Sequence, residues 1–236
     1  MPEKLLYLWV DAACIIFPLA FSFHPKILFY RQWKYFLPSC AVSSLLFLVW
    51  DHFFTLQHIW SFNPRYITRA YLFSLPVEEC LFFICVPYAC VFTYYSVSLF
   101  VDSARYKQAA KYLAWTLVIT LGLTGLLNLP RLYTSITFIS LATFLLLLIV
   151  KKVTYLPTFF ISFLIILVPF FLSNGILTGT GIAEPVVSYN NHYNLGIRMF
   201  TIPMEDTFYG MLLILMNVAG FEYLRKTEVP GRRSPK

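Results

Sequence analysis

Ser74-Leu75-Pro76-Val77-Glu78-Glu79-Cys80-Leu81-Phe82-Phe83 returns, 127 residues further on, as Thr201-Ile202-Pro203-Met204-Glu205-Asp206-Thr207-Phe208-Tyr209. Both copies keep a hydroxyl residue, a proline two places on, two adjacent acids and an aromatic pair. An arginine precedes each copy, Arg69 and Arg198. Each copy also opens a stretch of about 20 mostly apolar residues, the length that crosses a bilayer as a helix. Seven such stretches run through the chain, roughly 5–23, 35–54, 76–99, 113–129, 132–150, 157–177 and 203–224. The copies open the third and the seventh. Successive spans alternate in direction, so these two run the same way and the repeat is parallel. Spans one to three correspond to spans five to seven. The predicted segments are a first repeat over 1–112, a connecting span over 113–131, and a second repeat with a basic tail over 132–236. The sequence thus predicts an all-α polytopic membrane protein of about seven transmembrane helices. Repeats related by an axis along the membrane normal tend to build their site where they meet.

Composition supports this reading. Of the 236 residues, 59% are hydrophobic and 12% charged, against roughly 25% charged in average soluble domains. Too few polar residues remain to cover a water-soluble globule. The first span carries Asp11 near its middle and is too long for a simple signal peptide. Aromatic residues make up 19% of the chain, more than two interfacial belts require. The bundle is therefore packed with rings or encloses a ring-lined cavity. The net charge of +7 is not a nucleic-acid footprint, because the basic residues gather on one set of connections. Loops after spans one, three and five, with the C-terminal tail, hold Lys26, Arg31, Lys34, Arg105, Lys107, Lys111, Lys151, Lys152, Arg225, Lys226, Arg232, Arg233 and Lys236. The opposite side holds Lys4, Arg65, Arg69, Arg131 and Arg198. The positive-inside rule then places the N-terminus outside and the C-terminus in the cytoplasm. An odd number of spans requires the same.

Ionisable groups inside a membrane are costly and mark candidate sites. They are Asp11, Asp51, Glu78, Glu79, Glu205 and Asp206, with Glu222 near the cytoplasmic end of span seven. The acid pairs have two readings. In one, proline and acids simply start two helices, with Ser74 and Thr201 as N-caps and the carboxylates at the positive end of the helix dipole. In the other, each pair turns one carboxyl into a cavity and keeps the second as support, since neighbouring helical positions project about 100° apart. Burial and a neighbouring like charge favour the protonated form of a carboxyl group. Such a group is a Brønsted acid in a dry pocket, and the aromatic faces of Phe82, Phe83, Phe208 and Tyr209 stabilise a cation formed beside it. Acid, rings and exclusion of water together suit protonation of an olefin. Glu78 and Glu205 lead as acid/base candidates, with Glu79 and Asp206 tuning them or exchanging roles. Asp51, in the Trp50-Asp51-His52 end of span two, and Asn63, in Asn63-Pro64-Arg65-Tyr66, are supporting candidates or solvated interface residues. Arg69 and Arg198 either pair with the second acid of each motif or anchor the interface.

Other chemistries lack their signatures. Gly175-Ile-Leu-Thr-Gly179-Thr-Gly181 lies at an apolar span rather than in a strand–helix unit, so no flavin or nicotinamide fold is visible. No Gly-rich phosphate loop occurs, and no aspartate-rich pair suggests magnesium and diphosphate. His24, His58 and His192 are dispersed. Cys14, Cys40, Cys80, Cys85 and Cys90 sit in apolar stretches without metal or disulfide spacing. A retinal-binding bundle would need a lysine deep in the last span, where only Lys226 stands at its cytoplasmic end.

With its two Pro-x-Glu-[Glu/Asp] copies, the sequence resembles the non-flavin lycopene cyclase family of bacteria, archaea and fungi, in the fused form of what is a pair of subunits in some members. The matching residues include Trp50-Asp51, Phe62-Asn63-Pro64-x-Tyr66, Leu75 to Phe83, Val86-Pro87-Tyr88, Tyr189-Asn190, Gly196-Ile197-Arg198 and Ile202 to Asp206. The resemblance implies a lycopene β-cyclase, an intramolecular lyase of the isomerase class that closes the ψ-ends of lycopene to β-rings without net redox change. It also implies no cofactor and no metal, and as partners lycopene and related acyclic carotenoids, membrane lipid, and a complex with other carotenoid enzymes, but no nucleic acid. The expected location is the cell inner membrane. Parallel repeats with acids inside the membrane suit one alternative as well, a proton-coupled transporter of a lipophilic solute.

Overall fold

The computed structural model describes residues 3–228; Arg232, Arg233 and Lys236 of the basic tail lie outside them. Seven helices carry the apolar stretches: α1 (Leu6–Phe21), α2 (Trp33–Leu56), α3 (Val77–Phe100), α4 (Lys107–Leu127), α5 (Leu132–Val150), α6 (Leu156–Leu177) and α7 (Met204–Glu228). With the short 3-10 turns that lead into α1, α2 and α4, all seven are long and apolar enough to cross a membrane. The chain is an all-α integral membrane protein. α4 starts ahead of its apolar run because Lys107-Gln108-Ala109-Ala110-Lys111 consists of strong helix formers.

Packing follows the repeat. α1 lies on α3 as α5 lies on α7, while α2 packs on α7 and α6 on α3. Each repeat therefore lends its middle helix to the other, and the two halves interlock. α4 has no counterpart and runs along α5. Gly125 permits that approach, since a Cβ there would come within 2.8 Å of Ile139, and small residues let membrane helices pack closely.

Short strand pairs in the connecting loops close one end of the bundle. β1 (Trp60–Phe62) pairs antiparallel with β4 (Val187–Tyr189), with Ser61 opposite Ser188 at the centre. These serines are equivalent in the repeat, so the ladder straddles the pseudo-twofold axis. The flanking bonds are exchanged by the same operation: Asn63 N–H donates to the Val186 carbonyl at 2.8 Å, and Asn190 N–H to that of Ile59 at 2.9 Å. Two hairpins precede α3 and α7: β2 (Tyr71–Leu72) with β3 (Leu75–Pro76), and β5 (Arg198–Met199) with β6 (Ile202–Pro203). Their first loop residues, Phe73 and Phe200, have φ of 56° and 58°, where glycine is usual.

The hairpins correct two expectations. Ser74 and Thr201 do not cap the following helices. Ser74 lies two residues before Pro76, the actual N-cap of α3, whose cap uses no side chain. Its hydroxyl instead meets His52 at 2.7 Å, and that of Thr201 meets Thr178 and Thr180, each at 2.7 Å. Nor are Arg69 and Arg198 equivalent. In the 127-residue register Arg69 corresponds to Gly196, both with left-handed φ (64° and 73°), and Arg198 corresponds to Tyr71.

Candidate functional site

The first acid of each pair turns back into its own loop. Glu78 Oε1 accepts the Thr68 N–H at 2.6 Å, and Glu205 Oε1 accepts the Leu195 N–H at 2.7 Å together with the Thr134 hydroxyl at 2.6 Å. Thr68 and Leu195 are equivalent positions, so both repeats use this carboxyl to tie a loop amide to the first turn of the helix. Each is fully buried. Both bonds are part-buried, where a backbone N–H shielded from water needs an acceptor.

The second acid points about 100° away, into a cavity of about 300 Å³ between α1, α3, α6 and α7. Glu79 Oε2 accepts the Tyr7 hydroxyl at 2.5 Å. Asp206 Oδ1 accepts the Tyr133 hydroxyl at 2.6 Å, and its Oδ2 accepts both the Asn174 amide and the Tyr189 hydroxyl at 2.8 Å. Tyr7 and Tyr133 open α1 and α5, so the tyrosine–acid contact recurs in both repeats. Three donors thus converge on Asp206, whereas a single tyrosine donates to Glu79. Asp51, from α2, also lines the cavity. Its Oδ1 receives a long 3.4 Å contact from Tyr209, and its buried Oδ2 has no partner among the described residues.

Aromatic rings enclose the acids. Trp60 lies edge-on to Tyr133 with centroids 5.2 Å apart, Tyr133 stacks on Tyr189 at 5.9 Å, and Tyr209 sits 6.1 Å from Trp60 and 6.2 Å from Tyr133. Phe82 stands 6.5 Å from Tyr7 on the other side. Removal from water, and then the neighbouring Asp206, push the Tyr189 phenol well above the usual tyrosine range. It stays a donor at any physiological pH. Carboxyl groups and ring faces, with apolar walls beyond them, can deliver a proton to an olefin and shelter the cation that forms.

The sequence candidates separate accordingly. Glu79, Asp206, Asp51, Phe82 and Tyr209 line the cavity; Glu78, Glu205, Phe83 and Phe208 do not. The two aromatic pairs are offset by one residue in the repeat register, and only the equivalent members, Phe82 and Tyr209, face inward. Phe83 packs against Phe47 at 6.1 Å and Phe208 against Phe138 at 5.1 Å. Asn63 bonds Glu184 and the Arg65 N–H in the loop. Arg69 and Arg198 are exposed and donate to the carbonyls of Pro64 and Thr201 rather than to an acid. Asp11 is buried, with neither carboxylate oxygen partnered among the described residues, and does not line the cavity. Glu222 belongs to the far end of the bundle, where Tyr94 donates to it at 2.8 Å and Arg225 pairs with it at 2.9 Å. Sequence reasoning missed Tyr7, Trp60, Tyr133 and Asn174 as site residues. The recurrence of a tyrosine at the start of spans one and five was the available signal.

Residues 4–97 and 130–224 match the family described as lycopene cyclase. Each matched segment contains one acid pair, and α4 falls between them. No curated protein and no solved structure matches the chain. A family match over most of the chain, in the two segments that supply Glu79 and Asp206 to one cavity, shows that the chain belongs to the lycopene cyclase family, enzymes of carotenoid cyclisation acting on substrates such as lycopene.

Proposed function

We propose that the chain is a lycopene β-cyclase working by acid-initiated carbocation chemistry, and that Glu79 and Asp206 carry the proton transfers. A carboxylic acid, Glu79 in this reading, protonates the terminal C1=C2 bond at C2. The tertiary cation at C1 is attacked by the C5=C6 bond, which forms the C1–C6 bond and moves the charge to C5. A carboxylate, Asp206 with its three donors, takes the C6 proton and leaves the C5=C6 bond of a β-ring. One proton enters and one leaves, so there is no net redox change and the reaction is an isomerisation. Tyr133, Tyr189, Tyr209 and Trp60 present ring faces to the cation, and Asp51 adds negative charge to the same wall. Glu78 and Glu205 hold the loops that position these groups.

The observation that carries the reading is that the second acids of both repeats line one ring-walled cavity. The asymmetry of basic residues supports placing the acid end toward the outside of the cell inner membrane, with the C-terminus in the cytoplasm. A substrate that stays in the bilayer is delivered by membrane lipid and is accessible to other carotenoid enzymes. Expression in lycopene-accumulating bacteria, followed by chromatography of the pigments, tests the function. Cyclic carotenoid with β-rings is expected, and unchanged lycopene beside membrane-inserted protein would overturn it.

A further inference from the structure

We infer that the cavity opens sideways into the bilayer through the seam between α1 and α6, and that the long isoprenoid chain lies in this opening while its end occupies the acid chamber. The identity of the chain rests on the cyclase reading; the opening rests on geometry alone.

The cavity is a slot rather than a sphere. On α3 its lining runs from Glu79 through Phe82 and Val86 to Thr93, one helix face over 14 residues, or about 21 Å at 1.5 Å per residue. At the acid end, Trp60, Phe62, Val187 and Tyr189 of the β1–β4 ladder lie across it. Among its lining residues, the exposed ones are Ala13 and Phe17 of α1 and Pro169 of α6, with Phe17 70% exposed. Ala13 lies seven residues into α1 and Pro169 eight residues from the end of α6, about 10–12 Å from the loop-capped ends. In a hydrocarbon core of about 30 Å, that opening meets lipid tails rather than water.

The seam is also lightly held, as is the one between α6 and α7, where no lining residue of α7 is exposed. α1 packs mainly on α3 and meets α6 only slightly. Both flanking helices carry a proline at the cavity wall, Pro18 and Pro169, and each removes a backbone hydrogen bond and eases bending there. Cys14 of α1 and Ser173 of α6 line the cavity from opposite sides of the seam, and the Ser173 hydroxyl donates to the Pro169 carbonyl of its own helix at 2.9 Å.

Ser173→Cys places a second thiol opposite Cys14 and allows the seam to be stapled with copper-phenanthroline in proteoliposomes containing lycopene. Oxidation should lower cyclisation by more than about ten-fold, and dithiothreitol should restore it. The Ser173→Cys, Cys14→Ser protein should not respond to oxidant. Lycopene retained by the purified protein, read from its visible absorbance, should fall in parallel. Unchanged retention and turnover after stapling would overturn the opening. Staple-sensitive retention without any cyclisation, even in wild-type protein, would keep the opening and defeat the cyclase reading instead. Ala13→Trp narrows the mouth without a cross-link and should raise the KM for lycopene several-fold more than it lowers kcat. A wild-type KM would contradict the proposal.

Discussion

Glu78 and Glu79 are adjacent, yet one serves the backbone and the other the cavity, and the same division holds for Glu205 and Asp206. The difference is an angle of about 100° around the helix. That both pairs matter was legible in the repeat. Which member faces inward was not, because α3 and α7 are apolar nearly all the way round and their patterns do not fix a rotation. The structural role of the first acids has a measurable cost. In Glu78→Gln or Glu205→Gln the amide oxygen still accepts the loop N–H, but the bond is no longer charge-assisted, so thermal unfolding in detergent should report a loss of about 1 kcal/mol. Activity per folded molecule should stay within a few-fold of wild type. A loss comparable to that of the Glu79 variant would return the first acids to the reaction.

At the scale of elements, the helices were readable because a span has a required length and apolar content. The β1–β4 ladder was not. Three residues cannot show a convincing alternation, and its partners come from loops 127 residues apart that meet only because the repeats do. The arginine before each motif misled for a related reason: proximity in sequence was mistaken for register. Arg69 occupies the left-handed position that Gly196 fills in the other repeat. A side chain there costs about 1–2 kcal/mol, partly offset by the greater freedom of glycine in the unfolded chain. Arg69→Gly should therefore leave stability unchanged or raise it by up to about 1 kcal/mol, with cyclisation retained. A fall in activity at full protein level would show that the guanidinium does more than bind the Pro64 carbonyl.

For the whole molecule, the parallel repeat was visible in ten residues, whereas the sharing of one chamber by both halves was not, since it depends on α2 and α6 packing on the opposite repeat. Orientation is tested by a reporter after Lys236, expected to be active only in its cytoplasmic form; a periplasmic signal would invert the assignment. Purified protein in lipid should cyclise lycopene without added flavin or nicotinamide, and strict dependence on either would contradict a mechanism in which only protons move. The central claim is that the second acids of the two repeats form a single catalytic centre. The most direct measurement is β-ring formation per membrane-inserted protein in lycopene-accumulating cells carrying Glu79→Gln or Asp206→Asn. General acid–base catalysis is worth typically 10²–10⁴-fold, so each single substitution should lower ring formation at least about 100-fold while protein level holds. Near-normal β-carotene from either variant, at wild-type protein level, would contradict it.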